Sequence, residues 1–227
     1  MVFSADDDFS RPSSRLFNLA LEAIRAAQTV DLSSVIARMT NPPFYPDVWP
    51  GEHYKLLAGL VIVLQPKRII EIGTSTGLSA LTMKRFLPAE GKIITFDILP
   101  WNRFTDTAFL PEDFDNSLSQ KVADLSIASN IQPHLAEIQS STLIFIDAAK
   151  DGRGEQQFID NLRRVRFDQP PVVVFDDIRL WNMLKIWREI SAPKLDITSF
   201  GHWSGTGLVD WVWGAQNDTK SVRSPSV

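Results

Sequence analysis

The fold class is decided by the stretch Arg68-Ile-Ile-Glu71-Ile-Gly73-Thr-Ser-Thr-Gly77-Leu-Ser79. A short apolar run ends in one glycine, and a second glycine follows where a helix is predicted to begin. Glycines at such a turn let the backbone approach a ligand closely. The spacing differs from the dinucleotide fingerprint G-x-G-x-x-G, which needs glycines where Glu71 and Thr76 stand. An acid at position 71 would repel a pyrophosphate and attract an ammonium group.

Six further segments, all C-terminal to this stretch, have the composition of strands. The seven predicted strands are 68–73, 92–97, 121–124, 142–147, 172–177, 195–200 and 207–213, of which 121–124 is the weakest. Helical spacing separates several of them, as at Phe158, Leu162 and Val165. Continuous apolar strands alternating with helices predict an α/β fold with a parallel sheet covered on both faces.

After about a dozen loose residues, the chain up to residue 64 is predicted to be helical, with one proline-rich interruption. Ser13 and Ser14 are capping residues for a helix that reaches Ala27, a short helix follows Asp31, and an apolar helix spans 52–64. The stretch 41–50 contains four prolines and is predicted to be irregular. We therefore divide the chain into an N-terminal segment 1–50 that packs on the core, a main domain 51–215 and a loose tail 216–227.

Composition restricts the class of protein. Apolar residues make up 44% of the 227 residues, charged residues 22%, and the net charge is −4. This balance excludes wholesale disorder and gives no global attraction to nucleic acid. The chain has no cysteine, which excludes disulfides, thiolate metal sites and cysteine nucleophiles. No signal peptide or membrane span is recognised, so we expect a cytoplasmic protein with no membrane partner.

Acidic residues stand at the ends of four predicted strands: Glu71, Asp97, Asp147 and the pair Asp176-Asp177. Ligands of open α/β sheets bind outside the carboxyl ends of the strands. One such aspartate is often only a helix cap. Four acidic positions on one edge favour a cationic ligand or a metal ion.

The sequence Glu71-Ile-Gly73-Thr-x-Thr-Gly77-Leu-Ser79 resembles the first motif of class I S-adenosylmethionine-dependent methyltransferases. Its Glu-Ile-Gly-Thr form is similar to the catechol-type and caffeoyl-CoA-type O-methyltransferases, and the resemblance covers roughly 52–213. It implies a Rossmann-like, mostly parallel seven-stranded sheet with an antiparallel last strand. It also implies methyl transfer from S-adenosylmethionine to the hydroxyl of a small molecule.

The resemblance implies a set of cofactor-binding residues. Gly73, Ser75 and Gly77 would line the amino-acid portion of the cofactor, Glu71 would support the loop, Asp97 would bind the ribose and Asp124 would lie near the adenine. Thr74, Ser79 and Asp147 complete the set.

A second resemblance lies in Asp147-Ala-Ala-Lys150 and Asp176-Asp177. Catechol-type enzymes carry Asp-x-x-Lys at the first place and Asp-Asn at the second, and these bind a divalent cation. By that likeness Asp147, Asp176 and Asp177 are metal ligands, with Asp177 where the family usually has asparagine. Three carboxylates favour Mg²⁺ over zinc. Lys150 is the candidate base, provided that its pKa is depressed.

Structural alternatives remain open for these residues. Each aspartate alone could cap a helix, Lys150 could be a solvated surface residue, and Asp177 could pair with Arg179 or Arg188. The segment 100–115 is either a lid over the substrate or a surface insertion packed by its own aromatic rings.

Each of the three histidines has a structural interpretation, and for two of them a role in the site is the alternative. His202, with Trp203, could reach the site, although a simple turn is slightly preferred there. His53, with Tyr54, could close the entrance, although a helix start is preferred. His134 is expected on an exposed helix.

Two alternative functions are kept. One is a metal-independent methyltransferase that acts on nitrogen or on a protein, and the other is a cofactor-binding protein without catalysis. A nucleic-acid enzyme is disfavoured, because Asn41-Pro-Pro-Phe44 precedes the glycine loop instead of following the fourth strand. A homodimer is left open.

Overall fold

The computed structural model describes residues 10–39 and 45–213, and these form one α/β unit around a seven-stranded sheet. The strands are β1 (Arg68–Ile72), β2 (Lys92–Asp97), β3 (Leu118–Val122), β4 (Leu143–Ile146), β5 (Val172–Asp176), β6 (Lys194–Asp196) and β7 (Thr206–Asp210). Their order is β3-β2-β1-β4-β5-β7-β6. Strands β1 to β5 are parallel, and β7 runs antiparallel to both β5 and β6. The predicted Rossmann-like, mostly parallel sheet is confirmed.

Helices cover both faces of this sheet. They are α1 (Ser14–Ala27), α2 (Ser33–Ile36), α3 (Tyr54–Leu64), α4 (Leu78–Arg85), α5 (Leu135–Gln139), α6 (Gly154–Leu162) and α7 (Trp181–Glu189). Successive strand residues point to opposite faces. Ile69 therefore lies in the apolar cluster with α1, α3 and α4, while Ile70 lies in the cluster with α6 and α7. None of the helices within 10–39 and 45–213 is long and apolar enough to cross a membrane.

The N-terminal helix packs against α3. Ser13 is its N-cap, because its side-chain oxygen accepts a hydrogen bond from the backbone N–H of Leu16 at 3.0 Å. Helix α1 then lies so close to α3 that a Cβ on Gly59 would be 2.3 Å from the carbonyl oxygen of Ala23. The boundaries at residues 50 and 215 stay predictions, and the tail from residue 216 lies outside the described residues.

Two strand predictions are misplaced, and the seventh strand ends at Asp210 instead of residue 213. The third strand is 118–122 instead of 121–124, because Asp124 starts a turn in which its Oδ1 accepts a hydrogen bond from Ser126 N at 2.9 Å. The sixth ends at Asp196, whose Oδ1 accepts from Thr198 N at 2.9 Å and begins a 3-10 turn, Thr198–Phe200. Both are edge strands, and edge strands lack the long apolar runs that mark central ones.

The prediction of irregular backbone over 41–50 is wrong for Tyr45–Asp47, which form a 3-10 turn around Pro46. The fixed φ of proline is compatible with a helical turn. Residues 41–44, including the Asn41-Pro-Pro-Phe44 stretch, lie outside the described residues. The other 3-10 turns of the described chain are Trp101–Arg103, Pro111–Asp113, Ala128–Asn130 and Gln132–His134.

Candidate active site

A cavity of about 580 Å³ opens at the carboxyl ends of the central strands. Five of the predicted cofactor residues line it: Gly73, Ser75, Asp97, Asp124 and Asp147. Apolar side chains form other parts of the wall, among them Phe96, Phe104 and Phe158. The cavity therefore combines carboxylates and apolar walls at the edge of the sheet where α/β proteins bind ligands.

The glycine loop between β1 and α4 is shaped by contacts that exclude side chains. Gly73 has φ +106°, and a Cβ there would lie 1.9 Å from the backbone oxygen of Asp147. Gly77 has φ +86°, and a Cβ there would lie 2.3 Å from the ring of Phe109. Both positions require glycine for its left-handed backbone and for space.

Glu71 lies beneath the loop and does not reach the cavity. Its side chain is fully buried, and Oε1 accepts a hydrogen bond from Ser79 Oγ at 2.6 Å. Burial raises the pKa of Glu71 to about 7, against the lowering effect of that hydrogen bond. Glu71 is thus placed to support the loop. Because its carboxylate does not line the cavity, it is not positioned to contact an ammonium group there.

Thr74, Gly77 and Ser79 also lie outside the cavity wall. The hydroxyl of Thr74 is 2.7 Å from that of Thr95 on β2, and both threonines are buried. Thr74 thus fixes the loop to β2, and the hydrogen bond between Ser79 and Glu71 joins α4 to β1. The assignment of Thr74, Gly77 and Ser79 to the cofactor stays a prediction.

Asp97 ties the glycine loop to the end of β2. Its Oδ2 accepts hydrogen bonds from the backbone N–H groups of Thr74 at 2.9 Å and Ser75 at 3.1 Å. Its Oδ1 accepts from Leu99 N at 3.1 Å. Asp97 therefore organises the loop and lines the cavity at the same time.

The segment 100–115 has features of a surface insertion and of a cover over the cavity. The rings of Trp101, Phe109 and Phe114 pack on one another with centroids 4.9–6.2 Å apart. Ala108 N donates a hydrogen bond to Thr76 O at 2.8 Å, which fixes the segment to the glycine loop. Phe104 forms part of the cavity wall. The segment is an aromatic insertion that contributes one ring, Phe104, to the cavity wall.

Beside the cavity, three carboxylates surround the ammonium group of Lys150. Lys150 Nζ lies 2.8 Å from Asp147 Oδ1, 2.9 Å from Asp177 Oδ2 and 3.6 Å from Asp176 Oδ2. The interpretation of Lys150 as a solvated surface lysine is wrong, because only 19% of its side chain is exposed. Asp177 contacts this lysine, while Arg179 pairs with Asp196 at 3.0 Å.

The charge state of Lys150 is opposite to the one expected of a base. Burial works against its charge, but the carboxylates of Asp147, Asp176 and Asp177 outweigh burial and raise the pKa of Lys150 well above its usual value. The expected depression of this pKa is therefore wrong for the chain without a bound cation.

The backbone that carries Lys150 is in the left-handed region. Ala149 has φ +50° and Lys150 has φ +60°. The buried carboxylate of Glu155 accepts hydrogen bonds from Lys150 N and from Gly152 N, the latter at 3.0 Å. Asn182 Nδ2 donates to Lys150 O at 3.1 Å. These contacts hold the lysine over the carboxylates.

Two histidines, for which the sequence favoured structural roles, lie at the carboxylate cluster. His202 Nδ1 lies 3.2 Å from both carboxylate oxygens of Asp176 and 3.3 Å from Asp177 Oδ1. His53 precedes α3, as expected of a helix start, but it is only 3% exposed and its Nδ1 lies 3.4 Å from Asp176 Oδ1. Glu52 Oε2 is 3.6 Å from His202 Nε2.

The charges of these groups are coupled. Burial lowers the pKa of His202, but its hydrogen bonds with Asp176 and Asp177 outweigh burial and raise it to about 10. Burial likewise opposes the charge of His53, and Asp176 raises its pKa. Although burial alone would raise the pKa of Asp176, these histidines and Lys150 hold it far below its usual range. The third histidine, His134, ends a 3-10 turn and packs its ring edge-on against Phe96 at 5.1 Å.

The donor atoms fit a divalent cation. Carboxylate oxygens are ligands for hard cations, and imidazole nitrogen binds transition metals. Within the described chain, three groups place one ligand atom per residue within 4.8 Å of one another: Glu52-His53-His202, His53-Asp147-Asp176 and Asp176-Asp177-His202. Each of these groups contains a histidine, and the predicted trio Asp147-Asp176-Asp177 is not among them.

A sequence model of a family described as O-methyltransferase matches residues 38–183, which is well over half of the chain. The chain belongs to the O-methyltransferase family. The matched region of this O-methyltransferase contains the glycine loop, Lys150 and all three candidate metal ligands, but it ends before His202. The expected methyltransferase identity is confirmed.

Solved structures show the same fold. The O-methyltransferase TomG of Streptomyces achromogenes, involved in tomaymycin synthesis and crystallised with S-adenosylmethionine, is 21% identical over 88% of this chain and 90% of its own, with a TM-score of 0.51. An O-methyltransferase of Bacillus cereus in complex with S-adenosylhomocysteine is 18% identical over 82% and 90%, with a TM-score of 0.53. At these identities the likeness shows the fold.

Proposed function

We propose that this O-methyltransferase transfers a methyl group from S-adenosylmethionine to a hydroxyl oxygen of a small molecule, with a divalent cation at the carboxylate cluster. One observation carries the proposal. Asp147 lines the 580 Å³ cavity and also contacts Lys150 within the cluster. A methyl donor in the cavity would thus lie beside an acceptor at the cluster, as direct transfer between them requires.

The residues that line the cavity support its assignment to the cofactor. We assign Gly73 and Ser75 to its amino-acid portion, Asp97 to its ribose hydroxyls and Asp124 to the neighbourhood of its adenine. Asp97 and Asp124 stand at successive points of the cavity wall, at the ends of β2 and β3. The cofactor supplies an electrophilic methyl group on a sulfonium, whose positive charge suits a wall that contains carboxylates.

The acceptor side is assigned to the cluster of Asp147, Asp176 and Asp177. A divalent cation held there supplies Lewis acidity, which lowers the pKa of a nearby hydroxyl group. Lys150 neutralises and orients these carboxylates. Its proton-accepting role stays a prediction, and the raised pKa of Lys150 opposes that role.

The alternative is a methyltransferase that works without a metal. Its support is that Lys150 Nζ already lies among the three carboxylates, at 2.8–3.6 Å, where a cation would be expected. Homodimer formation and a cytoplasmic location stay predictions.

The test combines cofactor binding with turnover. Calorimetry with S-adenosylhomocysteine measures binding, and transfer of labelled methyl from S-adenosylmethionine is measured on small phenols, sugars and catechols, with and without a chelator. We expect binding without added metal and turnover that the chelator abolishes. Asp176→Asn should abolish turnover and keep the affinity for S-adenosylhomocysteine, because the cluster faces the acceptor.

Asp196→Asn is the matched control, because Asp196 pairs with Arg179 on the surface and lies outside the cavity. It should behave like the wild type in both assays. Full turnover in excess chelator would refute the cation and favour the metal-independent alternative. Failure to bind S-adenosylhomocysteine would refute the cofactor assignment.

A further inference from the structure

Two basic side chains contact the pair Asp176-Asp177 from opposite sides. Lys150 Nζ contacts Asp177 Oδ2 at 2.9 Å, on the side of the cluster that includes Asp147. On the other side, His202 Nδ1 contacts both oxygens of Asp176 and Oδ1 of Asp177 at 3.2–3.3 Å. Asp176 Oδ1 and Asp177 Oδ1, which Lys150 does not contact, therefore lie beside an imidazole nitrogen. Ser204 Oγ also donates a hydrogen bond to Asp177 Oδ1 and lies 2.8 Å from His202 Nδ1.

The spacing on the histidine side matches ligands around one ion. Two ligands that are each about 2.1 Å from an ion and at right angles are about 3.0 Å apart. The 3.2–3.3 Å separations of His202 Nδ1 from the carboxylate oxygens are close to this value. The lysine side is wider, because its three carboxylates do not all offer atoms within 4.8 Å of one another.

A second observation points to the same place. His53 is 3% exposed, and neither of its ring nitrogens makes a hydrogen bond of normal geometry. Its Nδ1 faces Asp176 Oδ1 at 3.4 Å, and its ring centroid is 5.4 Å from that of His202. A buried imidazole nitrogen that lacks a well-formed hydrogen bond costs free energy, which a bound ligand or ion would recover.

The backbone fixes His202 in this position. Its N–H donates to Thr206 Oγ1 at 2.8 Å, and the residue forms an isolated bridge with Gly51. Trp203 N donates to Gly51 O at 3.2 Å. The connection between β6 and β7 is thereby held against the residues that precede α3, so the imidazole is preorganised at the cluster.

We propose that the cation site is a mixed nitrogen and oxygen centre, in which His202 joins Asp176 and Asp177 as a ligand, and that it takes Fe²⁺, Co²⁺ or Zn²⁺ in preference to Mg²⁺. The proposal rests on the proposed function for its catalytic meaning. Imidazole suits these transition metals, whereas Mg²⁺ prefers oxygen ligands. The all-oxygen, Mg²⁺ site implied by the family resemblance is replaced by a different donor set.

The test is metal binding by the purified full-length chain after metal removal. Calorimetry with Co²⁺ and with Mg²⁺ compares affinities, and pulsed electron paramagnetic resonance of bound Mn²⁺ detects a directly coordinated ¹⁴N nucleus. We expect tighter binding of Co²⁺ than of Mg²⁺, and a ¹⁴N coupling. His202→Ala and His202→Gln should remove the coupling and weaken Co²⁺ binding at least about tenfold, since even residues that only orient ligands cost this much.

His134→Ala is the control, because His134 packs on Phe96 away from the cluster. It should keep the coupling and the affinity. Thermal melting of each variant establishes that it is folded. No ¹⁴N coupling in the wild type, or a coupling that survives both His202 variants and is lost in His53→Ala, would overturn the assignment of His202.

The two proposals fail in different ways. An all-oxygen site with chelator-sensitive methyl transfer would overturn the mixed centre and leave the proposed function intact. A ¹⁴N coupling that depends on His202, in a chain that neither binds S-adenosylhomocysteine nor transfers methyl groups, would support the mixed centre and refute the proposed function.

Discussion

The backbone carbonyl of Asp147 fills the space that a side chain at Gly73 would need, with 1.9 Å between that oxygen and an ideal Cβ. The contact joins the end of β1 to the end of β4, which are paired neighbours in the sheet. Asp147 N also donates to Ile72 O at 2.9 Å. The proposed donor side and acceptor side of the site are therefore built on one backbone junction.

Gly73→Ala should disturb this junction. The new Cβ would overlap backbone atoms that cannot rotate away, and φ +106° is unfavourable for alanine. We expect the free energy of unfolding to fall by about 1–3 kcal/mol, together with weaker binding of S-adenosylhomocysteine. Denaturant unfolding and calorimetry measure the two effects. Glu90→Ala, at an exposed position outside the cavity, is the control and should change neither quantity.

Glu71→Gln should change how stability depends on pH. The pKa of Glu71 is about 7 in the folded chain, above the ordinary value of 4.5, so folding favours its protonated form. Its contribution is present at low pH and is lost as pH rises through about 7. Relative to Glu71→Gln, the wild type should lose about 3 kcal/mol of unfolding free energy between pH 4.5 and pH 8.

The measurement for Glu71 is denaturant unfolding at several pH values. Glutamine keeps an oxygen that can accept the Ser79 hydroxyl, so its profile should lack this component. Glu112→Gln, at an exposed glutamate, should follow the wild type. Parallel profiles for wild type and Glu71→Gln would show that Glu71 does not titrate in this range.

Asp97→Ala should weaken cofactor binding. It removes the proposed partner of the ribose and frees the N–H groups of Thr74 and Ser75. Charge-assisted hydrogen bonds are worth roughly 1.5–3 kcal/mol, so the affinity for S-adenosylhomocysteine should fall about 10- to 150-fold. Calorimetry measures it, with Asp168→Asn at an exposed site outside the cavity as control. Unchanged affinity would exclude Asp97 from the cofactor site.

Lys150→Met should leave the carboxylates of Asp147, Asp176 and Asp177 without their shared ammonium group. Breaking a buried ion pair typically costs roughly 3–5 kcal/mol. We expect a lower melting temperature, and we expect Mn²⁺ to raise it more in the variant than in the wild type, because the cation replaces the lost charge. Lys185→Met, whose side chain is 81% exposed, is the control. No rise in melting temperature with Mn²⁺ in either chain would refute a cation site at these carboxylates.

The central part of the fold was predictable because local sequence determines it. Strands β1, β2, β4 and β5 are buried on both faces, so each appears as a continuous apolar run. Their acidic ends predicted one shared edge, since parallel strands bring their carboxyl ends together. The edge strands β3 and β6 were misplaced, because polar residues that face solvent carry no such pattern.

By itself the sequence determined the α/β class, the glycine loop and the positions of Asp97, Asp147, Lys150, Asp176 and Asp177. These features depend on residue types within a few positions of a strand end. Only the tertiary structure decided which charged groups contact one another. His53 and His202 reach Asp176 from a helix start and from a distant loop, and no local pattern relates them. Burial then raised the pKa of Glu71, and three carboxylates raised that of Lys150, because electrostatic free energy depends on distance in space and on exclusion of water.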